Sequence, residues 1–129
     1  MPRVTRCPNF WLAALIIWFG VLWILSSSAH PDIPMPPIED FDKVEHFGYF
    51  CGGAGLFSAY LFRKKPDFPQ WRLIIPTVIT GMALVGWLDE CHQGFVPGRS
   101  GNDPFDWMAD VLGAGAGAFF FKIIHRRLL

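Results

Sequence analysis

Charge is scarce in this chain, and what there is cancels. Asp, Glu, Lys and Arg make up 17% of the 129 residues, eleven of each sign, against 52% hydrophobic residues. With no net positive charge, nothing points to nucleic acid as a partner. Cysteine is equally thin: Cys7, Cys51 and Cys91 lie far apart and form no CxxC pair. A disulfide framework or a zinc ribbon is therefore not expected. No HExxH motif or comparable histidine pair occurs on one helix, and no internal repeat is visible. The length leaves room for one domain, residues 1–129.

Long apolar runs, by contrast, are plentiful. A bilayer core of ~30 Å takes roughly 20 apolar residues as a helix. Four stretches meet or approach that requirement, over residues 10–28, 44–62, 73–93 and 105–124. The third is short in its purely apolar part, Leu73 to Leu88, and continues as helix through Gln93. Soluble core helices rarely come four in a row without a polar face. The expected fold is thus all-α: a polytopic membrane bundle of about four transmembrane helices in contact with the lipid bilayer.

Lys and Arg in the short flanking segments set the orientation. With the N-terminus inside, Arg3, Arg6, Arg63, Lys64, Lys65, Arg72, Lys122, Arg126 and Arg127 are cytoplasmic, and only Lys43 and Arg99 are external. The acids mirror this, with Asp67 alone inside and the other ten outside or at the outer boundary. N-in and C-in is the expected topology. A rival for the first span is a signal peptide, since Arg3, Arg6 and an apolar run precede Ser27, Ser28 and Ala29. Cleavage would leave three spans and the same sidedness.

The first external segment, from about Ala29 to Asp42, holds Pro31, Pro34, Pro36 and Pro37 and tends to extended polyproline backbone. Small residues recur four apart as Gly48 and Gly52 in the second span and Gly113 and Gly117 in the fourth. Such faces let helix backbones approach closely in lipid. Bundle packing is the simpler use of them; a homo-oligomer contact is the alternative. Trp11, Trp71, Trp87 and Trp107 lie near span ends, as interfacial anchors do.

Candidate chemistry gathers at the outer ends of three helices. Asp42 and His46 are spaced i, i+4 as the second span begins; Glu90 and Gln93 are spaced i, i+3 as the third ends; Asp106 and Asp110 are spaced i, i+4 as the fourth begins. Asp106, Asp110, Gly113 and Gly117 share one face, as do Gly86, Glu90 and Gln93, so these polar groups are expected to point into the bundle. Ionisable groups at membrane depth mark a functional site or a paired network. Close carboxylates repel one another unless Arg99 or a bound cation neutralises them. Pro97-Gly98 suits a type II turn that would fold Arg99 back toward the acids, and Asp103-Pro104 suits a helix start. Blander readings exist: Asp106 completing a capping box with Asp103, His46 bonded to Asp42, His92 facing solvent.

Three blocks carry a resemblance. Asp42-Lys43-x-x-His46-Phe47, then Asp89-Glu90-x-x-Gln93-x-Phe95-x-Pro97-Gly98-Arg99-Ser100, then Asp106-x-x-x-Asp110-x-x-Gly113-x-x-x-Gly117 resemble the signature of the VanZ-like family, over about residues 42–117. Many members of that family have asparagine where Asp110 stands. The resemblance implies an integral protein of the bacterial cytoplasmic (inner) membrane. Its founding member is associated with low-level resistance to the glycopeptide teicoplanin, without an established reaction.

The leading functional expectation is a non-enzymatic protein acting in cell-envelope processes, with no cofactor. An external acidic cluster of Asp42, His46, Glu90, Gln93, Arg99, Asp106 and Asp110 would engage a cationic or amphiphilic molecule or a cell-wall precursor at the outer leaflet. One alternative is a scaffold or assembly subunit whose ion pairs merely hold helix ends. Another is a membrane hydrolase in which His46, Asp42, Glu90, His92, Asp106 and Asp110 ligate a divalent metal.

Overall fold

The computed structural model describes residues 3–28 and 41–128. The proline-rich segment and the cleavage point after Ala29 lie outside these described residues. Among the described residues there are four long helices and no strand: α1 (Pro8–Ser27), α2 (Phe41–Lys64), α3 (Trp71–Gln93) and α4 (Pro104–Ile124), with short 3₁₀ turns at Arg3–Arg6 and His125–Leu128. The all-helical expectation holds.

Proline at N1 starts both α1 and α4, where its missing N–H costs no helical hydrogen bond. In α4, Asp103 is the N-cap, and its Oδ1 accepts from Phe105 N at 2.8 Å. The preceding turn is also as expected: Gly98 has φ 81°, and Arg99 N donates to Val96 O at 3.2 Å. That is the type II geometry, which needs a residue tolerant of positive φ at the third position.

The helices alternate in direction. Trp18 of α1 packs on Tyr49 of α2, and the end of α1 meets the end of α3, where Ser26 Oγ donates to Asp89 Oδ1. The α2 and α4 helices run parallel, from Phe47 beside Gly113 at one end to Phe62 beside Phe121 at the other. Here the glycines act by being small. A Cβ at Gly113 would strike the Phe47 carbonyl oxygen, and one at Gly117 would strike that of Cys51. Ala114 and Ala118 complete this face, both fully buried. On α2 the pattern departs from expectation: Gly48 has open space beside it, while Gly52 and Gly53 both seat Trp18 of α1.

Two apolar clusters fill the interior. Phe50, Ala54, Ile74, Val78, Met82, Ala114 and Ala118 form the larger. Ala59, Phe62 and Phe121 form the smaller, flanked by Trp11 and Trp71. The outward faces are apolar too, with Ile16, Ile17, Ile24, Leu73, Leu84, Leu88, Leu112, Phe119, Phe120 and Ile123 exposed. So much exposed apolar surface suits lipid rather than water. Three helical segments, Pro8–Ser27, Trp71–Gln93 and Pro104–Arg127, are long and apolar enough to cross a membrane. The α2 helix is not in that group. Its ends carry Asp42, Lys43, Glu45, Arg63 and Lys64, and its middle holds Gly52, Gly53 and Ala54, packed against Trp18 of α1, Met82 of α3 and Gly117 of α4.

Candidate functional site

Antiparallel packing brings the start of α2, the end of α3 and the start of α4 to one end of the bundle. His46 stands at the centre. Its Nδ1 lies 2.8 Å from Asp110 Oδ1, while its Nε2 lies 3.9 Å from both Glu90 Oε1 and Asp106 Oδ2. Each carboxylate comes from a helix face that the sequence aimed inward. Gly86, one turn before Glu90, is the reason Asp110 fits: a Cβ there would overlap the Asp110 side chain.

Burial is deep for such polar groups. Asp110 is 0% exposed, Glu90 3% and Asp106 6%. Glu90 has one oxygen satisfied, since Oε2 accepts from Asp103 N at 2.9 Å. Its Oε1, together with Asp106 Oδ1 and Asp110 Oδ2, is buried without a hydrogen-bond partner among the described residues. Lys43 Nζ approaches Asp106 Oδ1 at 3.5 Å as an ion pair, and lies equally far from Asp42 Oδ2.

Not every expected residue joins this cluster. Asp42 lies at the exposed rim beside Lys43, and the partner of His46 is Asp110 instead. Asp106 faces His46 and Lys43, while the capping contact at the helix start belongs to Asp103. His92 is half-buried, stacked on Trp23 at 3.9 Å with Nε2 2.9 Å from Ser27 Oγ. Its place is against α1, away from the carboxylates.

Arg99 and Gln93 form a second, separate network. The Arg99 guanidinium does not fold back on the acids. It donates through Nη1 to Leu25 O at 3.1 Å and Ser28 O at 3.3 Å, and through Nη2 to Gln93 Oε1 at 3.1 Å. Those carbonyls end α1, where Leu25 O also accepts from the cap Ser28 N at 3.3 Å and the helix dipole favours a cation. Gln93 Nε2 donates in turn to Asp89 Oδ2 at 2.8 Å, and Asp89 Oδ1 accepts from Ser26. Asp89, 2% exposed, was not singled out from the sequence. The signal was its i, i+4 spacing to Gln93, masked by the neighbouring Glu90. This network ties α1 to α3, so Arg99 and Gln93 act on helix packing.

The cluster therefore pairs one imidazole with three buried carboxylates near the rim of the bundle. Such a group can hold a cation or share protons. A comparison with protein-family models matches residues 9–125 to the family described as VanZ/LLP1. No curated protein and no solved structure gives a significant match.

Proposed function

The chain belongs to the VanZ/LLP1 family, and from that premise we propose that it works at the outer face of the bacterial cytoplasmic membrane, through the carboxylate cluster around His46. In this reading the helices thread the membrane with both ends cytoplasmic, and α2 is a fourth span. It lies alongside α4 from Phe47 to Phe62, so a bilayer that accommodates α4 accommodates α2. The partition of Lys and Arg, nine against two, supports the orientation. It puts His46, Glu90, Asp106 and Asp110 at the outer boundary.

The observation that carries the proposal is convergence. Four ionisable side chains from three helices meet at one end of the bundle, and three of their oxygens lack hydrogen-bond partners among the described residues. Burying such groups without partners costs several kcal/mol unless something binds them. The substrate class is an envelope-derived or amphiphilic molecule at the outer leaflet. The family resemblance makes teicoplanin susceptibility the phenotype to measure.

The test is teicoplanin susceptibility of a sensitive Gram-positive host expressing this protein, beside Asp106→Asn at matched membrane abundance. Protection by the wild type that disappears in the variant is the expected result. Protection by neither would detach the chain from that phenotype. A scaffold reading is favoured by the Asp89–Gln93–Arg99 network, which only fastens α1. It predicts that Arg99→Ala lowers membrane abundance.

A further inference from the structure

We propose that His46, Glu90 and Asp106 form a binding site for one divalent transition-metal cation of the Mn²⁺ to Zn²⁺ group. Nε2 of His46 and one carboxylate oxygen from each acid all lie within 4.8 Å of one another. The two nitrogen–oxygen separations are 3.9 Å. Adjacent ligands on an ion with bonds of about 2.0–2.6 Å sit roughly 3–4 Å apart, so small side-chain movements close the site.

Two further observations point to a cation. Glu90 Oε1 is aimed at His46 Nε2 with no hydrogen-bond partner of its own, in a side chain 4% exposed. His46 is placed as metal-binding histidines are: its Nδ1 lies 2.8 Å from the Asp110 carboxylate, which orients the ring with Nε2 toward the two acids. The donor set selects among metals. One imidazole with two carboxylates suits Mn²⁺, Fe²⁺, Co²⁺ or Zn²⁺ and lacks the thiolates that copper(I) prefers. Three protein ligands leave at least one coordination position for another molecule.

The site stands on its own geometry and does not depend on the teicoplanin reading. The test is titration of purified, chelator-treated full-length protein in detergent with Mn²⁺, followed by electron paramagnetic resonance. The expected result is one tightly bound ion per chain with coupling to a histidine nitrogen, displaced by Zn²⁺. Glu90→Gln and His46→Gln should weaken binding by more than about 100-fold, and Asp110→Asn by about 10–100-fold as an orienting residue. Asp89→Asn, in the neighbouring network, should bind as the wild type does. Helix content by circular dichroism checks that each variant folds. Wild-type protein that binds no Mn²⁺ or Zn²⁺ above the detergent blank would overturn the proposal. So would folded Glu90→Gln and His46→Gln variants that bind normally. The susceptibility assay reports separately, so metal binding without protection, or protection without metal, tells the two readings apart.

Discussion

His46 of α2 and Asp110 of α4 are joined by a hydrogen bond of 2.8 Å from ring Nδ1 to carboxylate Oδ1, between side chains that are respectively 11% and 0% exposed. The bond crosses the helix pair whose glycines bring the backbones closest, so the polar contact and the close packing reinforce each other. Replacing Asp110 by leucine removes the acceptor and leaves the imidazole stranded, which should cost about 3–5 kcal/mol. Asparagine keeps an acceptor oxygen and should cost only about 1 kcal/mol. Equilibrium unfolding in detergent, followed by helical circular dichroism, measures both. Equal losses would mean that charge, not the hydrogen bond, holds the pair.

The α2–α4 contact gives a second prediction. Because a Cβ at Gly113 or Gly117 would overlap a carbonyl oxygen of α2, the clash is with backbone, which cannot rotate away. Gly117→Val should destabilise the bundle by about 3 kcal/mol, the upper end for overpacking. Gly48→Val should have little effect, since open space lies beside Gly48. The same unfolding assay decides. A destabilised Gly48→Val would point to a contact with another copy of the chain.

Four helices and the inward face of α4 were legible in the sequence because both rest on local periodicity. Apolar runs, Asp103-Pro104 and the 4, 3, 4 stepping of Asp106, Asp110, Gly113 and Gly117 are visible without tertiary information. The partners were not. Whether His46 would choose Asp42, four residues away, or Asp110, sixty-four away, depends on how the helices are rotated, and spacing alone leaves that open. Arg99 illustrates the same limit. Its turn was readable from Pro97-Gly98, but the acceptors it reaches are carbonyls at the end of α1, which no side-chain pattern announces. Asp89 was hidden by adjacency, because consecutive helical residues face about 100° apart and only one of them could be assigned to the carboxylate face.

The Arg99 network yields a third prediction. One guanidinium serves Leu25 O, Ser28 O and Gln93 Oε1 through two nitrogens. A lysine has a single ammonium and cannot reproduce that fork. Arg99→Lys should therefore behave like Arg99→Ala, each releasing the end of α1 while the cluster around His46 persists. A pair of cysteines at Ser27 and His92, whose side chains are 2.9 Å apart in the native protein, reports this as slower disulfide formation. Cross-linking unchanged by Arg99→Ala would show that Asp89 and Ser26 suffice to hold α1.

Sidedness is the fourth prediction, and it bears on everything proposed for the cluster. Phe68, in the connection between α2 and α3, is 82% exposed, and Phe95, in the connection between α3 and α4, is 87% exposed. They mark opposite ends of α3, on loops flanked respectively by Arg63, Lys64, Lys65 and Arg72 and by the carboxylates. In a chain with its three native cysteines replaced, Phe95→Cys should react with a membrane-impermeant maleimide on intact cells, and Phe68→Cys should react only after lysis. The reverse pattern would put the carboxylate cluster in the cytoplasm and remove the basis for an outer-leaflet ligand. Labelling of both positions on intact cells would mean that α3 does not cross the membrane. The metal site would survive either result, since its geometry is internal to the bundle.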